Sequence, residues 1–260
     1  NKCEICGNCQ PKQSEDVFDT WFSSALWPLA TLGWPKQTKD LKTFYPTDVL
    51  STARDIINLW VGRMIFSGMA FTKKPPFKDV IIHATVITKD GKRMSKSLGT
   101  GIDPMLMIQN YGADATRFGL AWQASESQDM RFGEEDILAG KKFCNKIWNA
   151  SRFVLMQLGE RKFEIKKKPK AITKEDKKIL ASLNRVAKVT TKDIDKFQFG
   201  QALKRLYQFF WHEFCDIYIE KAKNQIKEPK KKGEDKNTQE ILIYVLLNCL
   251  KLLHPFMPFV

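Results

Sequence analysis

The sequence predicts a partial α/β domain followed by an all-α antiparallel helical bundle. Three observations predict it. Asp79-Val80-Ile81-Ile82-His83-Ala84-Thr85-Val86-Ile87 is an apolar run of the kind that forms a buried parallel strand. Strand-like and helix-like runs alternate between Tyr45 and Tyr111, which is the order of an α/β fold. From about Gly133 onward, apolar residues recur at helical spacing in long runs joined by charged links, as in a helical bundle.

Taken in order, residues 1–13 carry Cys3, Cys6 and Cys9 in C-E-I-C-G-N-C. A C-x-x-C-G turn aims two thiolates at one metal, so Cys3 and Cys6 are candidate zinc ligands in what reads as half of a zinc knuckle. Cys9 is a third ligand or a bystander. A complete site needs four ligands, and with no histidine nearby a further one is expected upstream of residue 1.

Residues 14–132 form the α/β segment. Glu15 to Pro35 holds three tryptophans, with Pro28 and Pro35 as expected helix breakers. Tyr45 to Thr52 reads as a short strand and Asp55 to Phe71 as a helix with apolar Ile56, Ile57, Leu59, Trp60, Met64 and Ile65. The strand at 79–87 runs into a polar turn, Thr88 to Lys92, and then into Arg93-Met94-Ser95-Lys96-Ser97 and Leu98-Gly99-Thr100-Gly101. Asp103 with Pro104 behind it predicts a capped helix start, and Gly112 its end.

Residues 133–260 form the helical segment. One amphipathic helix is expected from Glu134 to about Met156. Glu160 to Lys178 is a lysine-rich connector, read as a solvated loop that can touch RNA. Further helices are expected over about 175–192 and 200–227, with a loop over 227–236. Asn237-Thr238-Gln239-Glu240 has the form of a capping box opening a last helix. Cys144, Cys215 and Cys249 stand singly in apolar helical patterns and read as buried thiols.

A chain of 260 residues with 43% hydrophobic content, 7 Trp and 18 Phe supports roughly two packed domains rather than disorder. No apolar run is long enough to span a bilayer, and the polar start is unlike a signal peptide, so a soluble cytoplasmic protein with no membrane partner is expected. The net charge of +14 favours polyanionic partners, although a lysine-rich proteome would produce the same excess. The basic, hydroxyl-bearing and glycine-containing stretch from Arg93 to Gly101 suits a mobile loop that closes over phosphate. No Ser/His/Asp arrangement points to covalent catalysis.

That stretch resembles the KMSKS signature of class I aminoacyl-tRNA synthetases, with Arg93 in place of the first Lys. Other runs resemble the valyl branch of the family: Asp16-Val17-Phe18-Asp19-Thr20-Trp21-Phe22-Ser23-Ser24-Ala25-Leu26-Trp27-Pro28 with Thr31-Leu32-Gly33-Trp34-Pro35, and Asp55-Ile56-Ile57-Asn58-Leu59-Trp60-Val61-Gly62-Arg63-Met64. Phe143-Cys144-Asn145-Lys146-Ile147-Trp148-Asn149-Ala150 and Trp211-His212-Glu213-Phe214-Cys215-Asp216 match as well. An isoleucyl-type enzyme is the runner-up. A non-catalytic tRNA-binding module and a plain scaffold are alternatives of other classes.

The resemblance implies activation of L-valine by ATP with Mg, then transfer to tRNA(Val), by a monomer. It implies that Lys96 follows the charge on the reacting phosphate and that Arg93 helps bind pyrophosphate or the acceptor end. Ser95 and Ser97 donate to phosphate oxygens or shape the loop, and Met94 packs near the adenine. Asp55 bonds the ribose or the valine ammonium, or else caps a helix; His83 faces the nucleotide or the core. Trp21 walls the amino-acid pocket with Ile56, or Ile57, beside it. Threonine nearly matches valine in shape, so such a pocket needs a separate editing domain. Arg152, Lys146, Arg205 and the run Lys166-Lys167-Lys168 are candidate tRNA contacts, whereas Trp148, Phe209, Phe210 and Trp211 read as bundle core. The triplet Ala53-Arg54-Asp55 departs from the family's G-x-D. The family's H-x-G-H motif is missing, since His83, His212 and His254 stand far apart. The chain is therefore expected to be a fragment, with the first half of the catalytic domain and the editing domain upstream. The ending, His254 to Val260, stops inside a motif that normally continues.

Overall fold

The computed structural model describes residues 6–7, 14–95, 99–124, 129–159 and 168–260. It divides into two compact units, Asn1–His83 and Ala84–Val260. This division falls inside the 14–132 segment. Helices that the sequence order placed with the α/β part share their core with the helical part, as described below.

In the first unit, α1 (Thr20–Ala25) starts where the Asp19 carboxylate accepts from the Trp21 N–H at 2.9 Å. The run does not break at Pro28; that proline sits in the first turn of α2 (Trp27–Ala30), where its missing N–H costs nothing. A helix not expected from the pattern, α3 (Lys39–Phe44), is capped by Thr38, whose Oγ1 accepts from the Leu41 N–H at 3.0 Å. Strand β1 (Thr47–Ala53) leads into a 3-10 turn, Arg54–Ile56, then wide π-type turns over Ile57–Gly62, then α4 (Arg63–Thr72). Strand β2 (Phe77–His83) lies parallel to β1, with Thr47 opposite Phe77 and Ala53 opposite His83. Leu50, Val61, Met64 and Phe77 form the core of this unit.

The apolar run at 79–87 is not one strand. It ends at His83 and resumes as β3 (Val86–Ile87), which pairs in parallel with β4 (Met130–Arg131). Nor is β2 buried on both faces. Val80 and Ile82 are 39% and 43% exposed, because β1 is the one strand paired with it among the described residues and the core covers a single face.

In the second unit, α5 (Pro104–Tyr111) begins as expected, with the Asp103 carboxylate accepting from the Met105 N–H, and it ends at Gly112, whose φ is 93°. Helix α6 (Ala113–Gln123) packs against α7 (Glu134–Leu158) at very short range. A Cβ placed on Gly140 would lie 2.5 Å from the Ala115 carbonyl, and one on Gly119 would lie 3.1 Å from the Asp136 backbone. Phe118 of α6 stacks with Trp122 and tilts against Phe143 of α7, inside the large bundle core.

Helix α8 (Lys174–Asp195) opens on Thr173, which exchanges a capping box with Asp176. The expected helix over 200–227 is α9 (Phe199–Tyr207), wide π-type turns over Gln208–Ile219, and α10 (Glu220–Lys227) in unbroken succession. The wide turns coincide with the densest aromatic run, of which Phe209, Phe210, Phe214 and Tyr218 are buried.

The last helix, α11 (Glu234–Leu253), starts three residues before the expected capping box. The Glu234 carboxylate accepts from the N–H groups of Lys230 and Lys231 at 2.9 and 2.8 Å, which fixes the turn ahead of it. Thr238 is instead buried within the helix and donates to Gln225 at 3.0 Å. Beyond α11 the chain returns to α6. Arg117 donates to the carbonyls of Phe256 and Pro255 at 2.9 and 2.8 Å, and Asp114 accepts from the N–H groups of Phe259 and Val260 at 2.9 and 2.6 Å.

Candidate functional site

The first unit gathers several candidates at the carboxyl ends of its two parallel strands, where ligands of open α/β sheets bind. The β1–β2 register sets Ala53, the first residue of the Ala53-Arg54-Asp55 triplet, opposite His83. His83 is exposed, so it is not a core residue. Asp55 is exposed inside the 3-10 turn and is not its cap; that position belongs to Ala53. Ile56 and Ile57 follow, both half-buried. Trp21 is half-buried on α1, and α1 packs against the wide turns that start at Ile57. The indole N–H of Trp60, in those turns, donates to the Ser24 carbonyl at 3.1 Å and ties the two elements together.

In the second unit the signature loop has well-built roots. Turn residues Thr88 to Lys92 are closed by the Thr88 N–H donating to the Lys92 carbonyl at 2.9 Å and the Gly91 N–H to the Thr88 carbonyl at 2.9 Å. The Thr88 hydroxyl and then the Lys92 ammonium stabilise the Asp90 carboxylate and bring its pKa down to about 2. Arg93 bridges antiparallel to Ile87 and its side chain is exposed. Thr100 then clasps the loop. Its hydroxyl donates to the Arg93 carbonyl at 3.0 Å and accepts from the Ser95 N–H at 3.0 Å, and its own N–H donates to the Ser95 carbonyl at 3.2 Å. Met94, expected beside the adenine, packs half-buried against the cluster of Ala115, Phe132 and Ile137, where it anchors the loop. Lys96 and Ser97 lie outside the described residues, as do Cys3, Lys166 and Lys167.

The positive candidates on the bundle differ among themselves. Lys146 pairs with Asp216 at 2.8 Å and lies over the Trp211 ring at 5.0 Å, so its charge already has an internal partner. Burial opposes ionisation of Asp216, but the bonds from Lys146 and His212 outweigh it and lower its pKa. Arg205 pairs with Asp193 at 2.7 Å. Arg152 stands exposed on α7. Trp148 departs from the expected core position: it is 60% exposed, one helical turn before Arg152. Phe209 and Phe210 are buried and Trp211 half-buried, as expected. Apolar recurrence could not single out Trp148, whereas its i, i+4 spacing to an arginine marks a shared face.

Cys215 and Cys249 are buried, and Cys144 half-buried; burial pushes the thiols of Cys144 and Cys215 up to about 11 and about 12. Such thiols are packing groups rather than nucleophiles. Cys6 is exposed, and among the described residues no cluster of three metal-ligating side chains occurs. The described residues thus do not make a zinc site. Among the described residues, no helix is long and apolar enough to cross a membrane.

Residues 3–133 match the family of tRNA synthetases class I (I, L, M and V), and residues 176–260 match the anticodon-binding domain of tRNA ligase. The chain is 50% identical to a valine–tRNA ligase of Clostridium tetani, covering 100% of this chain and 29% of that protein. It is also 50% identical to the valine–tRNA ligase of Thermotoga maritima, over 99% of this chain and 29% of that protein. The fold matches the agnB2 LeuRS of Agrobacterium radiobacter K84, solved as a ternary complex with tRNA and LeuAMS. The TM-score is 0.80 at 21% identity, over 99% of this chain and 32% of that one. The chain thus spans less than a third of the length of these curated relatives.

Proposed function

Because the chain belongs to the class I tRNA synthetases (I, L, M and V), we propose that it is the later catalytic and anticodon-binding part of a valine–tRNA ligase. The observation that carries this reading is the 50% identity to valine–tRNA ligases along the whole chain.

In the parent reaction a valine carboxylate oxygen attacks the α-phosphorus of ATP, which is taken with Mg. A new P–O bond forms, and the bond to the departing pyrophosphate breaks with its electron pair. The terminal ribose hydroxyl of tRNA(Val) then displaces AMP from the valyl carbonyl. On this reading Trp21 and Ile56 limit the size of the amino acid, and Asp55 and His83 bind the nucleoside or the ammonium. Lys96 and Arg93 stabilise charge spreading onto the phosphates, with Ser95 and Ser97 as hydroxyl donors. The extended Arg93 fork suits pyrophosphate better than a point charge would. Exposed Arg152 is a bundle cation available to tRNA, and Trp148 beside it offers a stacking surface.

The test is ATP–pyrophosphate exchange by a full-length protein carrying this segment. Exchange driven by valine well above isoleucine is expected, and equal or better exchange with isoleucine would refute the assignment. Lys96→Ala is expected to cut the exchange rate by roughly 100-fold or more while valine KM changes little; an unchanged rate removes Lys96 from the mechanism.

A further inference from the structure

We propose that three consecutive carboxylates at the start of α7, Glu134, Glu135 and Asp136, form a two-sided mount for the signature loop. They hold its incoming root through Lys89 and the helix that leaves it through Tyr111. Lys89 and Tyr111 are therefore positioning residues for Arg93 and Ser95. The catalytic consequence rests on the function proposed above; the structural consequence does not.

On the incoming side, the Lys89 ammonium lies 3.1 Å from Glu135 and 2.9 Å from Asp136. The Asp136 side chain is 12% exposed and already fixed: it also accepts from the Gly133 N–H at 3.0 Å and from Gln123 Nε2 at 2.8 Å. It cannot swing to follow Lys89, so Lys89 is held to it. The stem of Lys89 runs across Gly133, where a Cβ would lie 2.6 Å from the lysine Cε. Lys89 belongs to the closed turn 88–92, whose next residue, Arg93, bridges Ile87. A clamp on Lys89 therefore fixes the residue from which the basic stretch departs.

On the outgoing side, the Tyr111 hydroxyl donates to Glu134 at 3.0 Å. Tyr111 ends α5, the helix that begins at Pro104 just past the loop. Lys141, farther along α7, lies over the Tyr111 ring at 5.6 Å and adds a second contact between Tyr111 and α7. Both flanks of the loop are thus attached to a single helical turn of α7. Acidic residues in a first turn also favour the helix dipole by themselves. That role needs no partner on the loop, so the two explanations separate experimentally.

Hydrogen exchange on this 260-residue chain provides the test, comparing Lys89→Ala, Lys89→Arg, Gly133→Ala and Tyr111→Phe with the parent. Lys89→Ala and Gly133→Ala are expected to raise exchange severalfold over Gly91–Ser95 and Gly99–Asp103, with α8–α11 unchanged. Lys89→Arg is expected to restore most of the protection, and Tyr111→Phe to loosen α5. Unchanged exchange at the loop, or a rise spread over the whole bundle, would overturn the mount. In a full-length protein, Lys89→Ala is expected to lower the kcat of valine-dependent exchange roughly 10-fold with little change in valine KM, and Lys89→Arg to recover it. An unaltered kcat would overturn the positioning role. If the parent protein shows no valine-dependent exchange while the loop exchange behaves as expected, the assigned function fails and the mount stands.

Discussion

Asp176 has no solvent exposure, yet each of its bonds can be traced. It accepts from the N–H groups of Ile172 and Thr173 at 3.0 and 2.9 Å, and from the Tyr218 hydroxyl at 2.9 Å. Burial, then the charge of Asp176, pushes the Tyr218 hydroxyl far above its ordinary value, so it remains a donor. Asp176→Ala would strand three donors at once and is expected to cost about 3 kcal/mol or more in chemical denaturation. Tyr218→Phe removes one donor with its bond and should cost less. Asp136 responds to pH instead. Burial opposes its charge, but the bonds from Lys89, Gln123 and Gly133 prevail and hold its pKa below 3.8. Its contribution is therefore complete above that value and is lost as pH falls through the lowered folded value. Lys89 is shifted the other way, above 10.5, chiefly by its bond to Asp136, so the pair stays ionised across the neutral range. The difference in Tm between the parent and Asp136→Asn is expected to be full at pH 7 and to shrink as pH drops below about 4.

The α6–α7 pair depends on glycines that admit backbone at short range. Gly140→Ala would press a methyl into the Ala115 carbonyl at 2.5 Å and is expected to lower stability by about 1–3 kcal/mol, read as a fall in Tm. Element by element, the features legible in the sequence were those decided locally. Asp103, Pro104 and Gly112 announced the ends of α5 because cap chemistry involves neighbours in the chain. What stayed hidden depends on distant partners. Nothing near 79–87 says that Val86 and Ile87 pair with Met130 and Arg131, and so the run read as one strand. Thr238 has the spacing of a cap, but its hydroxyl is used by Gln225 across two helices. Trp148 sits in an apolar pattern and still faces outward, because α7 buries Ile147 and Ala150 on its other side. The mount on Lys89 was invisible for the same reason: its acids lie 45 residues or more along the chain.

Across the whole molecule, a net charge of +14 should make any RNA binding strongly dependent on salt. If the bundle serves tRNA, affinity of this chain for tRNA should fall steadily with ionic strength in filter-binding or anisotropy titrations. Trp148→Ala should weaken it by about 1 kcal/mol or more without lowering Tm, since the indole is already 60% exposed. Equal binding by the variant would remove Trp148 from the interface. The return of the chain to α6 has a separate consequence, for assembly in time. Asp114 and Arg117 take their partners from residues 138 to 146 positions later. A ribosome releases α6 long before it releases those partners. Until those partners emerge, the Asp114 carboxylate must stay hydrated. The second unit therefore cannot lock as it emerges; it closes only when Pro255 to Val260 are free to reach back.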